Sequence, residues 1–477
     1  MRISQYFKLN KEQPYLDFVD IRLDTDLAVF VDPGRLRSLQ STWATECLSL
    51  IQDYFDTVLK KINNGDDEGA INLLSCLKES NDFHFGFSKG KSRGNGMGDG
   101  SAHDVWGALT KSKASITGLL QDLEDTCLLI DGIGPDRISD AVCNILRGPL
   151  IQYTQEVCNY YGIELTPDVA SGPVWNPDKE LWEERLIALP MTEYGRVILV
   201  PKIIVRHQIW YDSQEYYRYY LLPHMQSEEK RLHTALVETL KDGRTRVTKK
   251  SLMHKYGADK LAVVEQTLKH PSVLDNYREA KKKRFPKPMD HETLADIETT
   301  PPPDFALKLK KLSAVPPGRD HATVYENLIE EILSALFYPC LTSPTKQHNI
   351  HEGRKRIDLT YVNSASSGFF AWLAMHYPSG HIFIECKNFS SDISNPELDQ
   401  LSGRFSPSRG RVGLLLYREI DNREKFIQRC IDTAKDDRGF IIPLGDTDLA
   451  ELIGNYLENP KSQAFSHLKS LFNRLIM

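Results

Sequence analysis

Long apolar runs are missing from this chain. No stretch of the 477 residues approaches the roughly 18 uninterrupted apolar residues of a membrane-spanning helix, which argues against a membrane protein. The amino-terminal "MRISQYFKLNKEQPYLDFVD" also lacks the apolar core of a signal peptide, so a cytoplasmic location is expected. CxxC pairs and His/Cys clusters at zinc spacing are absent too. The eight cysteines (47, 76, 127, 143, 158, 340, 386 and 430) are scattered, and reduced, mostly buried thiols are expected. An excess of positive charge is lacking: a net charge of -6 argues against indiscriminate coating of nucleic acid, although it leaves room for a local basic groove. No internal repeat is visible at periods of about 20 to 50 residues, which excludes a solenoid reading.

What is present is a globular composition, 41% hydrophobic and 26% charged. At about 100 to 200 residues per domain, the length predicts two to four units. The clearest boundary is the stretch 278–319, "REAKKKRFPKPMDHETLADIETTPPPDFALKLKKLSAVPPGR", which joins a basic run to Pro286, Pro288, the triple proline 301–303 and Pro316–Pro317. It reads as a linker with room for one short helix, and its basic run Lys281 to Arg284 as a solvated helix end.

Residues 1–277 read as a larger mixed α+β unit. "DFVDIRLDTDLAVFVDP" suggests two short strands around a turn, while "TECLSLIQDYFDTVLKKI" and "ISDAVCNILRGPLIQYTQEVCNYY" have helical periodicity. "RLIALPMTEYGRVILVPKIIV" predicts a hairpin of two apolar strands with Glu193, Tyr194 and Gly195 at the turn. The loop "HFGFSKGKSRGNGMGDGSAHD" falls one residue short of a Walker phosphate loop at Gly86, Gly90, Lys91 and Ser92, and reads instead as a basic glycine-rich loop. The aspartates 17, 20, 24, 26 and 32 are best explained by turns and strand edges.

Residues 320–477 alternate more cleanly, as an α/β sandwich. "ATVYENLIEEILSALFY" predicts an amphipathic helix with an apolar stripe at Val324, Leu328, Ile332 and Leu336. "RIDLTYVN", "HIFIECKNF", "RVGLLLY" and "GFIIPL" read as strands, and "FFAWLAMHY" as helix or strand. Asn395 before Pro396 is a helix-start signature for "PELDQLSGRF", and a further helix is expected at about 421–435.

The candidate chemistry lies at the end of "HIFIECK". Alternation puts Phe383, Glu385 and Lys387 on one face and Ile382, Ile384 and Cys386 on the other. Burying a carboxylate and an ammonium is costly unless they pair or bind something. In "RIDLTYVN", Asp358 points away from the Ile357, Leu359 and Tyr361 face. If the two strands are neighbours, Asp358 and Glu385 converge beside Lys387. Two carboxylates and a backbone carbonyl suit magnesium, and a lysine within reach can orient or deprotonate a water for attack on phosphorus.

Asp358, followed 27 residues later by Glu385-Cys386-Lys387 at the end of an apolar strand and preceded by a helix carrying Glu326, resembles the PD-(D/E)XK, or restriction-endonuclease-like, nuclease superfamily, and within it the Mrr-type domain. The resemblance covers about 320–450. It implies a C-terminal αβββαβ sandwich in which Asp358, Glu385 and the Cys386 backbone carbonyl hold Mg2+, with Mn2+ able to substitute. It further implies that Lys387 activates water, that Glu326 binds a second metal or its waters, and that Gln400 sits near the site. The sequence departs from the superfamily pattern in having Ile357, not proline, before Asp358. Lys346, Arg354, Lys355 and Arg356 before the Asp strand, and Arg404, Arg409, Arg411 and Arg418 after the ExK strand, are candidate phosphate clamps. The implied function is Mg2+-dependent endonucleolytic cleavage of DNA, with RNA left open. A restriction or anti-phage effector is the architectural analogy, residues 1–277 sensing or regulating, a phage-derived or nucleic-acid trigger fitting that role, and a homodimer or larger homo-oligomer cutting both strands. A repair nuclease and a non-catalytic nucleic-acid-binding module remain as alternatives.

Overall fold

The computed structural model describes residues 1–86, 107, 109, 112–117, 119–208, 210–284, 286–350, 355–389, 395–418 and 420–477, the side chains of 347–350 and 355–357 excepted. The chain is mixed α/β, and its buried apolar residues fall into two clusters. One runs from Ile3 to Leu294 and adds Tyr338; the other takes Tyr15 and then runs from Phe305 to Leu475.

The first cluster is built mainly from helices. Its longer helices include α1 (Thr42–Asn63), α2 (Pro135–Ile145) and α3 (Arg147–Tyr161). Ser41 caps α1 by accepting the Ala44 N–H, and Gly162 ends α3 in the left-handed conformation open to glycine. Strands here are short. The predicted hairpin exists only at its tip, where Met191 pairs with Arg196 and Thr192 with Gly195. Its apolar arms do not pair with each other: 186–189 pairs with 166–170, and the second arm passes through buried irregular backbone into a 3-10 turn at Lys202–Ile204. The stretch 17–33 likewise contributes one short strand, Phe30–Val31, paired with Val205–Arg206. Long-range packing, not alternation, decided these segments. The phosphate-loop resemblance at Gly90, Lys91 and Ser92 lies outside the described residues.

Residues 278–319 differ from the expected linker. They hold the end of α4 (Pro271–Lys283), α5 (His291–Glu298) and α6 (Phe305–Ala314). Asp290 and Asp304 cap α5 and α6, so the prolines fall between helices and interrupt none. Part of the basic run is internal: Lys281 is buried and pairs with Glu215, and Arg278, three residues before it, donates to Asp125 Oδ2 at 2.5 Å. The change from the first apolar cluster to the second still falls in this stretch, between Leu294 and Phe305.

The second cluster surrounds a five-stranded sheet. α7 (Ala322–Leu336) leads into β1 (Leu341–Ile350) and β2 (Lys355–Asn363), then α8 (Gly368–His376), β3 (His381–Lys387), α9 (Asn395–Ser402), β4 (Val412–Tyr417), α10 (Arg423–Lys435), β5 (Phe440–Gly445), α11 (Asp446–Glu458) and α12 (Ser466–Ile476). The strands lie in chain order. β1, β2 and β3 are antiparallel, whereas β3, β4 and β5 are parallel and joined through α9 and α10. All six residues of β4 are buried, as its unbroken apolar run requires of a strand covered on both faces. The core stripe of α7 is Tyr325, Ile329, Ile332, Leu333 and Leu336. Val324, expected inside, is 50% exposed, and Leu328 is half-buried. The 3.6-residue period fits either phase. Tyr325 wins the inner one by burying its ring and donating its hydroxyl to Asp446 at 3.0 Å.

Candidate active site

Backbone pairing between β2 and β3 runs from Val362↔His381 to Leu359↔Ile384. One step further along the antiparallel register, Asp358 stands across from Glu385, and there its side chain takes over from the ladder. Asp358 Oδ2 accepts the Cys386 N–H at 3.0 Å. The parallel pairing of β3 with β4 continues past this point, Glu385 with Leu415 and Lys387 with Tyr417. A polar notch therefore forms where one neighbour releases the strand and the other holds it.

Glu385 is 1% exposed, and both of its oxygens are taken: Lys387 Nζ lies 2.8 Å from Oε1, and Arg404 pairs with Oε2. Lys387 also donates to Gln400 Oε1 at 3.4 Å, which brings α9 to the site. Burial pushes the Asp358 carboxyl up to about 7, and the nearby charges of Glu385 and Glu326 add to that rise, against the opposing Cys386 N–H and Lys387. Burial likewise pushes the Cys386 thiol well up, so Cys386 can act here only through its backbone. Asp358, Glu385, Cys386, Lys387, Gln400 and Glu326 are thus neighbours.

The basic residues divide differently. Arg404, expected to face a phosphate, is 2% exposed and pairs with Glu385. Its place two residues beyond the end of α9 lets the guanidinium reach back to Glu385. Arg411 precedes β4 at the opposite end of the parallel strands and pairs with Asp437 at 2.9 Å. Arg409 donates to the Arg404 carbonyl at 3.3 Å, while its own carbonyl accepts the His381 N–H, at the start of β3. Arg418 is at the site end, but it pairs with Asp446 at 3.1 Å and donates to Leu312 O. Lys346 donates to Asn327 on α7 at 2.6 Å. Lys355 and Arg356 lie on β2 with side chains outside the described set, and Arg354 lies outside the described residues. Of the eight candidates, none among those with described side chains faces the Asp358–Glu385 notch as a phosphate clamp.

Sequence reasoning missed Glu330, one turn beyond Glu326 on α7 and fully buried. It binds Lys11 at 2.5 Å and lies 3.6 Å from Lys346. Its i+4 spacing from Glu326 was a readable signal; its partner, more than 300 residues away, was not.

The donor set has the chemistry of a hard-cation site, carboxylates and a strand carbonyl, and Asp358 is an acid raised first by burial and then by the neighbouring Glu385 and Glu326 charges. A cation at Glu385 would compete with Lys387 and Arg404 for the same oxygens. Among the described residues no three His, Cys, Asp or Glu side chains are grouped closely enough to hold an ion as they stand.

Residues 8–212 match the model of a family described as a domain of unknown function, DUF8370. No curated protein and no solved structure matches the chain. The family match ends before the sheet-bearing unit begins.

Proposed function

We propose that residues 320–477 hydrolyse phosphodiester bonds of DNA in a magnesium-dependent, endonucleolytic reaction, and that the DUF8370-containing part senses or regulates. The effector of a restriction or anti-phage system is the setting that such an architecture fits. The observation that carries the reading is the juxtaposition of Asp358 and Glu385 at the released end of β3, with Lys387 Nζ 2.8 Å from Glu385 and Gln400 beside it. It is the arrangement expected from the resemblance to the PD-(D/E)XK superfamily.

Asp358, Glu385 and the Cys386 carbonyl are the residues that would hold magnesium, with Glu326 near enough to engage its waters. When bound, the ion supplies charge neutralisation at the phosphoryl oxygens and a more acidic water. Lys387 stands beside the carboxylate pair as the group that would orient the attacking water or, as the neutral amine, take its proton. Gln400 accepts a hydrogen bond from Lys387 Nζ on the α9 side and so helps to fix where that nitrogen stands.

One observation favours a second reading. The Arg404–Glu385 pair satisfies Glu385 without any ligand, as it would in a non-catalytic nucleic-acid-binding module that keeps the fold. Plasmid cleavage with magnesium separates the two. The catalytic reading expects nicking or cutting by the wild type and losses of at least about a hundredfold in Asp358→Asn, Glu385→Ala and Lys387→Ala, with the proteins still folded. Undiminished cutting by the variants would remove the site assignment. DNA binding without cutting, on methylated, unmethylated, linear and single-stranded substrates, would favour the binding module.

A further inference from the structure

The first unit reaches into the second through residues 11–17, which lie inside the stretch matched by the family model. Tyr15, in a 3-10 turn at Gln13–Tyr15, is buried with the second apolar cluster and not with the first. Its hydroxyl accepts the Asp304 N–H at 3.1 Å, at the start of α6, and Lys308 Nζ of the same helix lies 4.2 Å from its ring centroid. Two residues on, Asp17 accepts the Tyr153 hydroxyl of α3 at 2.8 Å and the Ser343 N–H of β1 at 2.9 Å. Ser343 stands at the bulge of β1, where the β1–β2 register shifts between Thr342 and Thr345. The segment is thus fastened to a helix and to a strand of the sheet-bearing unit.

A third contact falls on α7. Lys11 Nζ lies 2.5 Å from Glu330 and 3.3 Å from Glu331, with the Lys11 side chain 12% and the Glu330 side chain 1% exposed. Lys308 pairs with Glu331 at 2.6 Å, so two lysines hold two successive carboxylates of the helix. A pair so shielded from water keeps its geometry, because separating it leaves a buried carboxylate without its countercharge.

Glu330 is also where the elements of the candidate site converge. Lys346 of β1 lies 3.6 Å from its carboxylate and pairs in register with Leu359, the neighbour of Asp358. Tyr361 of β2 donates to the Glu330 carbonyl at 3.2 Å and is hydrogen-bonded to Ser334 of α7 at 2.7 Å. Glu326 precedes Glu330 by four residues, so the two project from one face of α7. We propose that Lys11 and Glu330 are positioning residues for the cation site: through Lys11 the first unit sets where α7 holds Glu326 relative to Asp358, and so regulates how tightly a divalent cation binds there. Neither residue touches the ion; both act through the helix. This rests on the metal-site reading of Asp358 and Glu326 given above, and it names the contact through which the DUF8370-containing part acts on that site.

The test is Mn2+ binding to the full chain without DNA, read from the loss of the free-ion electron paramagnetic resonance signal. The chains compared are the wild type, Asp358→Asn, Lys11→Met, Lys11→Arg and the double variant Lys11→Met/Glu330→Gln. The expected result is that the wild type binds Mn2+ and Asp358→Asn does not, that Lys11→Met weakens binding by at least about fivefold, and that Lys11→Arg weakens it by less than about twofold. The double variant strands no charge, so it stays folded even where Lys11→Met does not, and it should show the same weakening because α7 has lost its tie to the first unit. Binding that Asp358→Asn removes but that Lys11→Met and the double variant leave unchanged would overturn the positioning role and leave the metal site standing. A lowered melting temperature without a change in affinity would do the same, as would an equal loss in Lys11→Arg. Absence of any Asp358-dependent binding would overturn both the proposal and the reading beneath it.

Discussion

Removing Arg404 should cost the sheet-bearing unit more than any exposed arginine would. Arg404 and Glu385 are 2% and 1% exposed, so their pair is shielded from water on every side. Breaking a buried pair by truncating one partner costs about 3 to 5 kcal/mol, because the other charge is left buried. Lys387 remains 2.8 Å from Glu385 in an Arg404→Met variant, which places the expected loss at the lower end, about 3 kcal/mol. Glu385→Gln should cost a similar amount by stranding the guanidinium. The double variant Glu385→Gln/Arg404→Met removes both charges, so it should be less destabilised than the sum by about 2 kcal/mol. A two-cluster chain need not unfold in one step, so the measurement should be local: amide hydrogen exchange of β4, residues 412–417, which pairs with β3 directly. Additivity within about 0.5 kcal/mol would refute the coupling and with it the claim that Arg404 holds Glu385 in place.

Three further outcomes are expected. Arg278→Met should cost about 3 to 5 kcal/mol in chemical denaturation because Asp125 is left buried without it, whereas Lys282→Ala, on the exposed side of the same helix, should change stability by less than about 0.5 kcal/mol. Gly368→Ala should destabilise by at least about 2 kcal/mol, since φ is +75° and an added Cβ would fall 1.9 Å from the Gln463 carbonyl oxygen. Burial raises the Glu298 carboxyl to about 8 despite its partner Arg2. Its protonated form is therefore favoured by folding, and stability should be highest below the unfolded-state value of about 4.3 and fall as the pH rises through 8, by roughly 5 kcal/mol at most. Glu298→Gln should flatten that decline in urea midpoints measured from pH 5 to 9; an unchanged slope would show that Glu298 is not its source.

In residues 320–477 four of the five strands were legible because each is a short, largely apolar or alternating run with its own stop, and because alternation alone puts Glu385 and Lys387 on one face; β1, "LTSPTKQHNI", is polar, contains a proline and does not read as a strand. Local rules therefore sufficed for β2 to β5 and for the helix starting at Asn395, but not for β1, which is a strand because it pairs with β2. They did not suffice for α7, where two phases of one helical period competed, or for 186–204, whose partners lie elsewhere in the chain. Nor did they suffice for 278–319, where proline content suggested a linker although the prolines fall between capped helices and Arg278 and Lys281 are buried and paired with Asp125 and Glu215.

By itself the sequence determined which residues carry the candidate chemistry and the side of the strand from which they project, because side-chain alternation is a property of the backbone. Only the tertiary structure decided that β2 lies beside β3 in the register that sets Asp358 across from Glu385. It alone turned Arg404 inward onto Glu385 and set α3 against the bulge of β1. Those outcomes depend on which surfaces exclude water from one another, and partners hundreds of residues apart leave no local mark of that choice.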